Sequence, residues 1–109
     1  MGLHISTPQI ESRALSLRTG CDVWLKLEAL QPSGSFKLRG VGLACETHAQ
    51  RGARRFVSSS GGNAGIAVAY AGRQLGLPVK VVVPETTSGR AREFIQKQGA
   101  ELKVYGASW

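Results

Sequence analysis

Cysteine, histidine and long apolar runs are all scarce in this sequence, and each scarcity argues against a kind of site or a class of protein. Cys21 and Cys45 form no CxxC pair, and only two histidines accompany them, so we expect no metal site. Unpaired thiols are typical of a reducing compartment, which indicates the cytoplasm. No apolar run is long enough to cross a bilayer, and the chain does not open on a basic segment followed by an apolar one. We therefore expect no membrane partner.

Aromatic residues are also few, at 6% of the chain, and this decides how the net charge of +7 is interpreted. A basic protein can bind nucleic acid, but such sites usually interleave aromatic rings with the positive charges. Here the basic residues are scattered, and only Arg51, Arg54 and Arg55 form a small cluster. We interpret the charge as solvated surface, compatible with anionic small molecules, and expect no nucleic-acid partner.

The first quarter of this 109-residue chain is predicted to hold one helix and one strand. Thr7-Pro8 has the residue types of a helix start, with threonine as the N-cap, and Gly20 would end that helix. Residues 22–27 alternate between apolar and polar side chains, which is the period of a half-buried strand. The side chains expected to face inward are Ile10, Ala14 and Leu17 from the helix and Val23, Leu25 and Leu27 from the strand.

The rest of the chain is predicted to alternate between helices and strands. The pattern predicts helices over 36–50, 63–75 and 88–98, the last closed by Gly99, and strands over 56–58, 79–83 and 102–105. This alternation predicts an α/β fold: an open, mostly parallel sheet with helices on both faces. The length suffices for one small domain, and a sheet of three strands looks incomplete, so we expect a fold truncated at its C-terminus.

One lysine lies in a setting that favours chemistry. Lys37 ends the segment PSGSFK, at the predicted mouth of a helix and beside Phe36. An ε-amine in such a position can form a Schiff base with an aldehyde. A helix cap followed by a solvated lysine also fits these residues, and on their spacing alone that second interpretation is favoured.

A second loop, SSSGGNAG over residues 58–65, joins a predicted strand to a predicted helix. Free backbone N–H groups and the positive end of a helix dipole converge there, which favours a carboxylate or phosphate. Gly61 and Gly62 let an anion approach the backbone without meeting a Cβ. A plain turn that needs glycine for its dihedral angles is the alternative, and it is favoured for the glycine pair alone. Neither GxGxxG nor a P-loop is present.

Together the two loops resemble motifs of the serine/threonine dehydratase family, the fold-type II pyridoxal-phosphate enzymes that are tryptophan synthase beta-like. Residues 32–40, PSGSFKLRG, resemble the family's cofactor lysine motif, and residues 58–65 follow in the family's order at a similar separation. Three further blocks match along the chain, at 3–8, 73–87 and 99–102. The chain is most similar to the L-serine dehydratase/L-threonine deaminase group, of which it would be the N-terminal part.

The resemblance assigns roles to residues of this sequence. Lys37 would hold pyridoxal 5'-phosphate and remove the Cα proton of the amino-acid substrate, Phe36 would lie against the pyridine ring, and Asn63 would bind the ring's 3'-oxygen. The substrate carboxylate would be received by Ser60, Gly61, Gly62 and Ala64. The implied reaction is β-elimination, which converts L-serine to pyruvate, or L-threonine to 2-oxobutanoate, with release of ammonia.

The resemblance also implies how the chain is divided. Residues 1–36 would be an N-terminal arm of the large domain, residues 37–109 a small, incomplete α/β domain, and the full-length enzyme a homodimer. The family's phosphate-binding loop and its pyridine-nitrogen contact would lie beyond residue 109, so we expect little activity from these residues alone. Two alternatives stay open: a threonine-synthase-like or cysteine-synthase-like enzyme, and a truncated α/β module without catalysis.

Overall fold

The computed structural model describes residues 2–108, which form a three-stranded sheet with its helices and a separate two-stranded sheet. The elements in chain order are β1 (Gln9–Glu11), α1 (Arg13–Thr19), β2 (Trp24–Lys26), α2 (Lys37–Gln50), β3 (Phe56–Ser58), α3 (Asn63–Leu75), β4 (Val79–Val83), α4 (Gly89–Lys97) and β5 (Glu101–Val104). A single 3-10 turn, Glu28–Leu30, follows β2. Within the described range, no helix combines the length and the apolar character needed to span a membrane.

The larger sheet is open and parallel, with the strand order β3-β4-β5, as predicted. Its core is centred on Val79, Val81 and Val83, which alternate along β4 and therefore share one face. Ala69 of α3 and Ile95 of α4 join the same cluster. Right-handed crossovers that advance in one direction place their helices on the same side, so α3 and α4 both cover this face. The predicted α/β fold with an open parallel sheet is thus confirmed, and α2 packs on α3.

Small residues let α3 pack closely on two sides. It contacts both β4 and α2, and its buried positions are Gly65, Ala67, Ala69, Ala71 and Gly72. A Cβ at Gly72 would overlap the side chain of Val79, so this turn of the helix requires glycine to reach the sheet. This close packing on the sheet fixes the position of α3, which begins at the end of the loop that follows β3.

The first predicted helix was wrong at its start. The segment after Thr7-Pro8 is strand β1, and α1 begins only after Ser12, whose Oγ accepts the N–H of Leu15 at 3.3 Å. The carbonyl of Pro8 accepts the N–H of Leu27 at 3.0 Å, so this backbone is committed to pairing with β2 rather than to a helix. The predicted end is confirmed, because Gly20 closes α1 with φ 75°.

Strands β1 and β2 and helix α1 together form what we call the arm, and it buries little of its apolar surface. β1 and β2 pair antiparallel, with Ile10 opposite Leu25, and every residue of both strands is exposed. α1 has no buried residue, and Leu17 is 68% exposed. The prediction that Ile10, Ala14 and Leu17 face inward was therefore wrong for residues 2–108. β2 lies within its predicted range, but the sequence had not revealed that β1 is its partner.

The remaining boundaries agree closely with the predicted ones. Helices α2 and α3 and strands β3 and β4 lie within one residue of their predicted limits. Ser88 caps α4 by accepting the N–H of Ala91 at 3.2 Å, and Gly99, with φ 90°, follows the end of that helix. β5 lies one residue earlier than predicted, because its pairing with β4 extends to Glu101.

Candidate active site

The turn between β3 and α3 leads into a helix start that no side chain caps. Gly62 is the N-cap of α3 and has no side-chain acceptor to offer to the N–H groups of the first turn. Ser60 folds back locally, and its Oγ accepts the N–H of Gly62 at 3.3 Å. The first helical residue, Asn63, is exposed. This helix end can therefore receive an anion, as the sequence predicted.

Each glycine of this turn has a different steric reason to be there. A Cβ at Gly65 would overlap the carbonyl oxygen of Ser60, so the first turn of α3 lies directly on the loop. A Cβ at Gly61 would lie 3.0 Å from Oγ1 of Thr87 on the loop that follows β4. A Cβ at Gly62 would meet nothing within 4 Å. The turn is thus closed on two sides and open at Gly62, where a ligand can approach.

Two hollows adjoin the turn, at the carboxyl end of the parallel sheet where open α/β folds bind ligands. The first, of about 470 Å³, is lined by Ser59–Gly62, Thr86–Ser88 and Ala91. The second, of about 520 Å³, lies between Gly61–Asn63, the segment Gln31–Gly34 and one side of α4. The fold therefore brings the loop that precedes Lys37 to the loop that contains Asn63, although about thirty residues separate them in sequence.

Lys37 is the first residue of α2, and its side chain is exposed. Its Nζ lies over the ring of Phe36, 5.2 Å from the ring centroid, and Phe36 itself is 58% exposed. Both residues line a shallow concavity with Arg39, Gly40 and Val41, which is a different hollow from the one that Asn63 lines. The structure thus unites the two loops but leaves the Lys37 amine outside the hollow between them.

A polar network that the sequence did not reveal joins the first turn of α2, which begins with Lys37, to residues that precede the helix. Glu28 accepts hydrogen bonds from Arg39, Thr7 and Gln31, and these donors hold the pKa of its carboxyl at about 2, with Arg39 the largest cause. Arg39 lies on the first turn of α2 and pairs with a residue eleven positions earlier, outside the helix.

Comparison with known proteins identifies the family. The sequence matches the family described as "Pyridoxal-phosphate dependent enzyme" over residues 2–109. It is 52% identical over 106 residues to "Serine dehydratase-like" of Homo sapiens, covering 97% of this chain and 32% of that protein. It is 51% identical over 104 residues to "L-serine dehydratase/L-threonine deaminase" of Homo sapiens, covering 95% of this chain and 32% of that protein. This chain spans about a third of the length of these relatives.

Solved structures give the same result for the fold. A fungal L-serine ammonia-lyase from Rhizomucor miehei superposes with a TM-score of 0.88 at 37% identity, covering 100% of this chain and 35% of that one. Maize serine racemase superposes with a TM-score of 0.88 at 26% identity, covering 96% of this chain and 32% of that one. The resemblance carried by the lysine and asparagine loops is confirmed, and this chain belongs to the family of pyridoxal-phosphate dependent enzymes.

Proposed function

We propose that this chain forms the lysine-bearing part of a cytoplasmic enzyme that deaminates L-serine and L-threonine with pyridoxal phosphate. The observation that carries the proposal is the uncapped start of α3, which meets the loop preceding Lys37 at the carboxyl end of a parallel sheet. The sequence is 52% and 51% identical to proteins named for serine dehydratase and L-threonine deaminase. These identities support this substrate class over the threonine-synthase-like and cysteine-synthase-like alternatives.

The chemistry of the residues present suits the cofactor, although in residues 2–108 Lys37 and Phe36 line a different hollow from Asn63. Lys37 offers an exposed amine for covalent attachment, Phe36 offers an exposed flat ring, and Asn63 offers an exposed amide at a helix start. When bound, pyridoxal phosphate supplies an electron sink that stabilises negative charge at the substrate Cα. Aromatic contact and a single hydrogen bond would then orient the ring, so we assign Phe36 and Asn63 to holding it.

The turn between β3 and α3 would bind the substrate carboxylate. The hydroxyl of Ser60 and the N–H groups of Gly61, Gly62 and Ala64 are the donors we assign to it, with the N–H of Gly62 exchanging its bond to Ser60 Oγ for the carboxylate. A charge-assisted hydrogen bond to a backbone N–H is stronger than a neutral one, and the helix dipole adds to it. Binding the carboxylate at this turn would fix the amino acid by one end.

Lys37 would move the Cα proton. An amine accepts a proton only in its neutral form, which surroundings of low polarity favour. Lys37 is exposed in residues 2–108, so the cover it needs must come from the larger enzyme. Loss of the Cα proton and of the β-hydroxyl as water, followed by hydrolysis, gives pyruvate and ammonia from serine, or 2-oxobutanoate and ammonia from threonine.

We also propose that residues 1–36 are an arm of a larger domain and that residues 37–109 belong to a small one. Exposed apolar side chains on both strands of the β1–β2 pair support this division, because a two-stranded sheet has little stability of its own in water. The larger domain would cover them. We further propose that the full-length enzyme is a homodimer, which sedimentation at several concentrations would test.

The proposed function is tested with the polypeptide extended to the length of its relatives. The protein is incubated with pyridoxal phosphate, reduced with borohydride and digested, and the modified lysine is located by mass spectrometry. We expect modification at Lys37 and formation of pyruvate from L-serine. Lys37→Ala should abolish both, whereas Lys103→Ala, which removes another exposed lysine, should change neither.

Alternative substrates distinguish the remaining possibilities. The same protein is assayed with O-phosphohomoserine, and with O-acetylserine plus sulfide. Formation of threonine or cysteine, without pyruvate from serine, would overturn the proposal in favour of a synthase. A folded protein that carries no cofactor on any lysine would indicate a module without catalysis.

A further inference from the structure

The carboxylate of Glu28 is saturated with hydrogen bonds. Arg39 donates to it through both Nε and Nη2, at 3.0 and 2.9 Å, which is the bidentate geometry that gives the strongest arginine–carboxylate pairs. Gln31 donates at 3.1 Å to one oxygen, and the hydroxyl of Thr7 donates to the other. The Glu28 side chain is only 16% exposed. Every lone pair that this side chain presents therefore has a partner within the chain.

The network reaches further through Gln31, whose side chain is almost fully buried. Its Oε1 accepts the N–H of Ile5 at 2.9 Å and its Nε2 donates to the carbonyl of Ile5 at 2.8 Å. Four separate parts of the chain thus meet at one carboxylate. They are the segment before β1, the 3-10 turn, the loop before α2 and the first turn of α2 itself. We call Thr7, Glu28, Gln31 and Arg39 the Glu28 cluster.

The start of α2 depends on this cluster because its own cap is weak. Phe36, the N-cap, makes no capping hydrogen bond with its side chain. The N–H of Lys37 donates to the Oγ of Ser35 at a long 3.4 Å. Lys37 and Arg39 are two positions apart, so their side chains leave the helix about 200° apart around its axis. Anchoring Arg39 to the arm therefore turns Lys37 away from the arm.

We propose that Glu28 and Arg39 are positioning residues that fix the direction in which Lys37 leaves α2. The inference rests on the proposed function, since it assigns these residues to the lysine that would hold the cofactor. Their polar groups are engaged with each other, so neither is assigned a contact with the cofactor or the substrate. Their effect on the reaction would be exerted through Lys37.

The test uses Glu28→Gln and Arg39→Lys in the extended polypeptide, because both changes keep size and polarity and remove the bidentate pair. A matched control is Glu93→Gln, which breaks the ion pair of Glu93 with Lys97 on α4. Hydrogen exchange of the amides of residues 37–40 measures the order of the first turn. We expect exchange at least about tenfold faster in the two variants, with α3 unchanged and the control equal to wild type.

Catalysis gives the second measurement. We expect kcat for L-serine to fall at least about tenfold in both variants, with KM within about threefold of wild type, because the proposed carboxylate donors lie on the turn between β3 and α3 and not on α2. The share of borohydride-trapped cofactor found on Lys37, per folded molecule, should fall as well. A purely structural role would reduce the folded fraction and leave both quantities per folded molecule unchanged, which would overturn the inference.

The two measurements keep the proposals separable. Unchanged hydrogen exchange in Glu28→Gln and Arg39→Lys would overturn the positioning role, whatever the activity. A second outcome combines two results: the wild-type protein carries no cofactor on Lys37, and hydrogen exchange is faster in the two variants than in wild type. This outcome would overturn the proposed function and retain the role of the Glu28 cluster in ordering α2.

Discussion

Gly65 lies against Ser60 so closely that a Cβ on Gly65 would overlap the carbonyl oxygen of Ser60. The contact joins the first turn of α3 to the loop that precedes it. Because the helix cannot move away from the sheet, where Val79 and Gly72 are packed as closely, the loop has one available position. The proposed carboxylate donors owe their placement to this contact.

Gly65→Ala should therefore disrupt both stability and binding. Overpacking at a site with no space typically costs about 1–3 kcal/mol of unfolding free energy, and here the obstacle is backbone rather than a flexible side chain. Urea denaturation measures the loss. The matched control is Gly89→Ala in the first turn of α4, where a Cβ meets nothing within 4 Å and where alanine should stabilise slightly. Equal stability of the two variants would contradict the contact with Ser60.

The core of the parallel sheet should be sensitive at Ile95. This side chain is fully buried among Val79, Val81 and Val83, whereas its neighbour Phe94 is 45% exposed. Ile95→Ala should lower the unfolding free energy by about 2–5 kcal/mol, because it leaves a cavity beneath α4. Phe94→Ala should cost clearly less in the same denaturation experiment. The reverse order would mean that α4 packs on the sheet through its other side.

Acid should remove the contribution of Glu28 to stability. Its pKa is lowered from an ordinary 4.5 to about 2, first by the hydrogen bond from Arg39 and then by that from Thr7. A carboxyl whose pKa is lowered by folding stabilises the folded state fully above its ordinary pKa, and the effect is lost as the pH falls from about 4.5 to 2. The difference in stability between wild type and Glu28→Gln should shrink over that range.

Glu93 provides the comparison for this pH experiment. Lys97 lowers the pKa of its carboxyl through a hydrogen bond, but both side chains are more than half exposed. Exposed pairs contribute little to stability, so Glu93→Gln should change the pH profile only slightly. A wild-type minus Glu28→Gln difference that stays constant from pH 6 to pH 2 would contradict the lowered pKa of Glu28.

The two thiols should differ in reactivity. Cys21 is exposed, whereas Cys45 is 5% exposed on α2, and burial raises the pKa of its thiol, with the charge of Glu46 adding to the effect. A disulfide reagent should titrate one thiol rapidly in the native protein and two in denaturant. Cys21→Ala should remove the rapid phase. Rapid reaction of two thiols without denaturant would show that α2 is not packed as described.

Elements set by local patterns could be predicted from the sequence, and elements set by distant pairing could not. Gly20 closes α1, and Gly99 follows the end of α4 with a positive φ, both through local geometry, so their residue types were informative. β1 is a strand only because β2 lies beside it, and Thr7 is not a helix cap because the segment that follows it is paired with β2. Residue types that suit a helix cap were therefore misleading where a distant segment of the chain pairs with the same backbone.

The candidate site follows the same division. The candidate anion site at the turn before Asn63 was predicted from glycines and a helix start, which are local features, and anion binding there stays a prediction. The pairing of Glu28 with Arg39 was not, since eleven residues and a loop separate them and no periodicity links them. The hollow between residues 31–34 and 61–63 also depends on how α2 packs along α3, which the sequence pattern does not encode.

The consecutive strand order of the parallel sheet has a consequence for how this region folds. β3 pairs with β4 and β4 with β5, so each pairing closes a loop that contains a single helix. Such short closures cost little chain entropy, and sheets built from neighbouring segments fold faster than those that wait for remote strands. On a ribosome, these three strands could assemble in the order in which they emerge. The helix that carries Lys37 emerges before all three strands and would dock on them through α3, along which it packs.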